Sequence, residues 1–209
     1  MFISVEGGEG VGKSLFVKGL AAELKNARQS TVVTREPGGS PLGESLRSLF
    51  NHPPEDDPFT PEGEFLLVSA ARAQHVAYRI KPALARGDWV ISDRFFDSTY
   101  VYQGVLGGIT RDMLDRVVPF STSGLQPTLT FLLDCDVDIA LSRVKKRTSE
   151  GIRQTRFDTA QRQHHQLIRD AYLQLAKEFR DRFVVLDASQ TADVLVDLAV
   201  KRIFARKGE

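Results

Sequence analysis

Phe2-Ile3-Ser4-Val5, followed at once by Glu6-Gly7-Gly8-Glu9-Gly10-Val11-Gly12-Lys13-Ser14, is the stretch on which the fold of this chain turns. The β-branched and aromatic run reads as a strand, and Val11 to Arg28 reads as a helix. Between them, Gly7 to Ser14 fits G-x-x-x-x-G-K-[ST], the pattern of a phosphate-binding P-loop. The glycines let backbone N–H groups face a phosphate without Cβ obstruction. Lys13 reaches the outer phosphates, the Ser14 hydroxyl is a ligand for Mg²⁺, and the helix adds its positive N-terminal end. A chance match would have no reason to sit between a strand and a helix. The candidate triphosphate cradle is therefore Gly7, Gly8, Glu9, Gly10, Val11, Gly12, Lys13 and Ser14.

Outward from this unit, short apolar runs alternate with helical patterns. Strands are expected at Thr31–Thr34, Trp89–Ile91, Thr128–Leu133 and Phe183–Leu186. Helices are expected over 61–85, 96–104, 111–120, 137–147, 157–180 and 192–206. Strands separated by helices imply parallel βαβ units, and near-continuous apolar strands imply a sheet covered on both faces. The expectation is an α/β fold: one domain over 1–209, with a five-stranded parallel sheet and helices on both faces. The Pro-rich stretch 51–61 reads as a loop.

Composition narrows the function classes. The chain has 209 residues, with 28 Lys and Arg against 27 Asp and Glu, for a net charge of +1. That balance argues against a nucleic-acid binder, which carries a marked basic excess. The single cysteine, Cys135, excludes an internal disulfide and fits a reducing, cytoplasmic setting. No apolar run approaches the roughly 18 residues of a membrane span, and the N-terminus lacks the pattern of a secretory signal.

A P-loop names no reaction. Neither Asn-Lys-x-Asp nor Asp-x-x-Gly, the guanine and switch motifs of a GTPase, occurs. Polar segments follow the strands, at the edge where ligands bind in an open parallel sheet. They are Thr34-Arg35-Glu36-Pro37-Gly38-Gly39, then Asp93-Arg94 with Ser98, and Tyr102-Gln103-Gly104; Ala71-Arg72-Ala73-Gln74-His75 lies on a helix between them. Together they supply arginines for an anion, an aspartate for a metal, and aromatic and amide groups for a flat ligand. Taken singly, Arg72 would read as a solvated charge and Tyr102 as core packing.

These motifs, in this order over nearly the whole length, closely resemble the thymidylate kinase family, a group with the P-loop nucleoside monophosphate kinase fold. The resemblance implies transfer of the γ-phosphoryl group of ATP to dTMP with Mg²⁺, giving dTDP for the dTTP supply to DNA synthesis, by a homodimer. It implies that Glu9 contacts the acceptor sugar and that Arg35 and Arg94 hold its phosphate. Arg72 corresponds to the residue that reaches the thymine carbonyl. Pro37, Val68, Ser98, Tyr102 and Gln103 line the dTMP pocket, and Ser14 and Asp93 serve the metal. The residues leave the isomer of the Glu36–Pro37 bond open; the resemblance points to cis.

Arg143, Lys145, Lys146, Arg147, Arg153 and Arg156 are opposed only by Glu150, and Thr148-Ser149-Glu150-Gly151 interrupts the helical pattern. A basic loop there would close over ATP and exclude water. The P-loop carries no arginine, so the chain resembles the bacterial type whose catalytic arginines lie in the lid, about 147–157. Arg153 and Arg156 join Lys13 and Arg94 as catalytic candidates. Phosphoryl transfer depends mainly on positioning and charge, so no general base is expected, and His75, His164 and His165 are not assigned that role. One departure bears on the base: Val68 stands where the family commonly has a phenylalanine stacked on thymine. It motivates an alternative, a kinase for dUMP or another 5-substituted pyrimidine deoxynucleotide. A P-loop regulatory switch is the alternative from another class.

Overall fold

The computed structural model describes residues 1–149 and 161–207. The elements run β1 (Phe2–Glu6), α1 (Lys13–Asn26), β2 (Thr31–Arg35), α2 (Pro41–Asn51), α3 (Pro61–His75), α4 (Lys81–Ala85) and β3 (Trp89–Asp93). They continue with α5 (Asp97–Thr99), α6 (Arg111–Thr122), β4 (Leu129–Asp134), α7 (Val137–Ser149), α8 (Arg162–Glu178), β5 (Phe183–Asp187) and α9 (Ala192–Lys207). The five strands form one parallel sheet in the order β2-β3-β1-β4-β5.

Strand alternation divides the core. Ile3, Val5, Ile91, Leu129, Phe131 and Leu133 face α1 and α9, which contribute Phe16, Leu20, Leu24, Leu195 and Ala199. The intervening Phe2, Val90 and Leu132 face the opposite side. There they meet Val76, Ile80 and Val118 toward the edge of β3, and Ile168, Tyr172 and Leu175 of α8 toward β5. Gly19 lets α1 and α9 approach closely, because a Cβ there would lie 2.9 Å from Val196 Cγ2.

Three local features differ from the sequence pattern. α2 occupies a stretch where no element is expected. It opens on the Ser40 N-cap, whose side chain accepts from Gly43 N, with Pro41 in the first turn. The helical segments 61–85 and 97–106 are continuous but widen into π turns at Val76–Ile80 and Tyr100–Leu106. Pro82 has no N–H to return to the preceding turn, which accounts for the first widening. α7 runs on through Ser149, past the expected break at 148.

β1 is flanked by β3 on one side and β4 on the other, so the chain leaves its carboxyl end at a topological switch point. Register aligns Arg35 with Asp93 and Val5 with Asp93, so the expected polar segments emerge from adjacent strand ends.

Candidate active site

The P-loop adopts backbone conformations that its glycines permit. Gly7, Gly10 and Gly12 have φ of 141°, 77° and 96°. At Gly10 a Cβ would run into the backbone carbonyl of Ala140, so the loop lies directly against α7. Lys13 Nζ donates to Gly7 O at 3.0 Å and Gly8 O at 2.6 Å, placing the ammonium across the loop. Burial, reinforced by Arg94, pushes its pKa down to about 8 against the pull of Asp93, Glu9 and Glu6. The lysine therefore stays largely charged at neutral pH.

Beside it stands Arg94, the most heavily bonded of the expected phosphate arginines. Its Nη1 donates to Ser98 Oγ (3.1 Å) and Tyr172 Oη (2.9 Å), and its Nη2 to Glu9 Oε1 (3.1 Å) and Tyr102 Oη (3.1 Å). The guanidinium also lies 5.0 Å from the centre of the Tyr102 ring. The backbone of Arg94 has φ of 70°, which a non-glycine residue adopts at a cost of about 1–3 kcal/mol. Its N–H bonds to Val5 O and its carbonyl accepts from Ser92 Oγ, fixing that conformation. Burial opposes the charge of Glu9, but Arg94, Lys13 and the Tyr102 hydroxyl bond hold its carboxyl below the usual range.

Glu6 lies beneath this cluster, fully buried at the end of β1. Its Oε1 accepts from Phe95 N (2.7 Å), and its Oε2 accepts from Ser98 Oγ (2.7 Å) and Tyr172 Oη (3.0 Å). Burial and the nearby Asp97 charge push its pKa up to about 7, against Arg94 and these donors. Glu6 and Tyr172 are the two members of the site that sequence reasoning missed. Glu6 stands just past the expected strand Phe2–Val5, and Tyr172 falls inside an expected helix, so neither position signals a site role by itself.

Arg72 is buried, not solvated. Its Nε donates to Glu36 Oε2 (2.9 Å) and its Nη2 to Thr99 Oγ1 (2.6 Å); Nη1 is buried with no partner among the described residues. His75 bridges Glu36 Oε1 (2.9 Å) and Thr34 Oγ1 (2.6 Å), so it supports the segment after β2. The Glu36–Pro37 bond is cis, and Arg47 Nη1 donates to Pro37 O at 2.7 Å. Val68 is buried one turn before Arg72 on the same helix, and Phe65 is buried nearby in sequence. Gln103 Nε2 donates to Glu64 Oε1 at 2.8 Å, tying the second π turn to α3.

Arg35 is half-exposed and pairs with Glu44 at 2.9 Å. It lines an open cleft with Ser14, Lys18, Thr34, Arg79 and Asp93. Among the described residues no group of three or more His, Cys, Asp or Glu could hold a metal. Ser14 and Asp93 instead offer one hydroxyl and one carboxylate to a shared cleft. That donor set suits Mg²⁺, which takes few protein oxygens and completes its shell with phosphates and water.

Of the basic run, Arg143 donates to Ala188 O at 2.8 Å, so it braces the segment after β5. Arg153 and Arg156 lie outside the described residues. His165 is buried on the first turn of α8, with Nδ1 3.8 Å from Glu9 Oε2.

The sequence model of the thymidylate kinase family matches residues 5–198. A thymidylate kinase of Trichlorobacter lovleyi is 41% identical over 209 residues, covering 97% of this chain and 98% of that protein. Those of Cupriavidus metallidurans and Bradyrhizobium diazoefficiens are each 43% identical; the alignments cover 98% and 93% of this chain and 97% and 84% of theirs. With the family model matched over nearly the whole length, relatives above 40% identity and the five-stranded parallel sheet, the chain belongs to the thymidylate kinase family.

Proposed function

We infer that the chain is an ATP-dependent thymidylate kinase, transferring the γ-phosphoryl group of ATP to dTMP and yielding dTDP and ADP. The observation that carries this reading is the pairing of two cationic centres at one sheet edge. Lys13 spans the P-loop, and Arg94 stands close enough to depress its pKa. The first centre suits a triphosphate and the second, with Arg35, an acceptor phosphate. The unpartnered Nη1 of Arg72 is a donor suited to a base carbonyl.

The acceptor phosphate oxygen is already an anion, so the bond to the γ-phosphorus forms, and the β–γ bridge breaks, without a general base. What the chain supplies is alignment and positive charge. Lys13 neutralises charge on the bridging and outer phosphate oxygens. Arg94, held by Ser98, Tyr102, Tyr172 and Glu9, presents a guanidinium that does not have to reorganise. Ser14 and Asp93 would hold Mg²⁺, which would supply positive charge to offset that of the phosphates. Arg153 and Arg156 complete the charge at the transferred group from a lid at about 147–157.

We read 1–209 as one kinase domain working as a homodimer in the cytoplasm. The exposed Leu49, Leu66, Met113 and Phe120 support a dimer, because their helices α2, α3 and α6 pack side by side. Among the described residues no helix is long and apolar enough to cross a membrane.

The deciding experiment is turnover of a nucleoside monophosphate panel with ATP and Mg²⁺. The reading expects dTMP to have the highest kcat/KM. No dTDP from dTMP, with efficient turnover of another monophosphate, would overturn it. A dUMP arm tests the effect of Val68 directly.

A further inference from the structure

Glu9 and His165 are both buried, and each leaves one side-chain atom without a partner among the described residues: Oε2 of Glu9 and Nε2 of His165. Glu9 engages Arg94 and Tyr102 through Oε1 alone. His165 Nδ1 stands 3.8 Å from Oε2, an ion-pair distance just beyond hydrogen-bond range. Both side chains line one cavity of about 20 Å³ behind the P-loop, together with Asp134, Cys135, Arg169 and Tyr172. Two stronger donors there, Arg169 and Tyr172, are committed elsewhere. Arg169 bonds Asp134 twice, at 2.8 and 3.0 Å, and the Tyr172 hydroxyl serves Glu6 at 3.0 Å.

A buried carboxylate held at one oxygen is free to turn about its terminal bond. Held at both oxygens, it has a single orientation. We propose that His165 is a positioning residue for the acceptor site: its Nδ1–H engages Glu9 Oε2 and fixes the carboxylate that Oε1 presents to Arg94 and Tyr102. Neutral imidazole with the proton on Nδ1 suffices for this. The inference rests on the thymidylate kinase reading, in which Glu9 faces the acceptor sugar. It assigns a role in dTMP binding to a helix outside the P-loop and outside the family motifs on the acceptor side.

Steady-state kinetics of the full chain test it. His165→Phe keeps a ring of similar size and removes the donor. His165→Asn places an amide nitrogen near the position of Nδ1, whereas His165→Gln carries it out to the position of Nε2. The Phe variant should raise the KM for dTMP about tenfold, with kcat and the KM for ATP within about twofold of the parent. Asn should restore most of the loss and Gln should not. In a Glu9→Ala background the Phe substitution should add less than about twofold, because its effect runs through Glu9. An equal effect of Phe in both backgrounds, a parallel rise in the KM for ATP, or an Asn variant no better than Gln would each overturn the proposal. Should the Phe variant fail to fold, as read by thermal melting, the Asn and Gln pair decides alone. Turnover of dTMP by the unsubstituted chain is measured in the same series. Its absence would refute the enzyme reading itself, whereas normal turnover without the Asn–Gln difference refutes only the role of His165.

Discussion

Glu6→Gln separates what the buried carboxylate costs the fold from what it gives the site. In the folded chain burial and Asp97 raise the pKa of Glu6 from 4.5 to about 7. The folded state therefore binds more protons than the unfolded state between those values, and stability falls as pH rises through that window. The full shift corresponds to about 3 kcal/mol. The glutamine of the variant does not titrate. Its amide oxygen can keep the Phe95 N–H bond, and its NH₂ can donate to the Ser98 and Tyr172 oxygens once those hydroxyls rotate. The assay is urea unfolding of parent and variant at intervals from pH 4.5 to pH 8. The variant should gain on the parent as pH rises, reaching about 3 kcal/mol of relative advantage by pH 8. A flat difference across the range, or a variant that loses ground toward pH 8, would refute the reasoning. Activity should move the other way. Ser98 and Tyr172 are shared between Glu6 and Arg94, so losing the charge loosens the guanidinium and lowers kcat/KM for dTMP.

Three further substitutions probe separate parts of the machinery. Lys13→Ala should lower kcat at least about 100-fold while the melting temperature changes little, because among the described residues its ammonium bonds only loop carbonyls that face the phosphate site. Near-normal kcat would remove the lysine from the reaction. Arg72→Met leaves the buried Glu36 with only the His75 hydrogen bond among the described residues, which should cost about 3 kcal/mol, or about 6–12 °C in melting temperature, alongside weaker dTMP binding by calorimetry. Arg153→Ala and Arg156→Ala should lower kcat more than they weaken dTMP binding; equal losses in both would place these arginines on the acceptor instead.

The sheet and the cradle were legible because their signals are local. Glycine spacing, β-branched runs and the strand-loop-helix context all lie within a few residues of one another in 2–14. α2 carried a helix-start signal in Ser40-Pro41, but Gly43 weakened the pattern, and only Gly43 and Phe50 of the helix are buried. The π turns were not read, since each widens a stretch inside a continuous helical segment and leaves the ends of that segment unmarked. Arg72 was legible as a candidate residue and not as geometry: its partner is 36 positions away at Glu36. The same limit hid Tyr172, whose hydroxyl meets Glu6 across 166 positions of sequence. Arg143 shows the reverse error of proximity, since it belongs to the basic run in sequence yet turns to Ala188.

The close seat of Gly10 on α7 has a mechanical consequence. A Cβ at Gly10 would strike the Ala140 carbonyl and come within 3.0 Å of Val144 Cγ2, so the phosphate loop and the first two turns of α7 touch with no room for a side chain between them. Arg143 anchors the same helix to the end of β5. α7 is thereby held between the phosphate loop and the segment after β5. A side chain introduced at position 10 would therefore do two things at once: distort the cradle and push α7 off its seat.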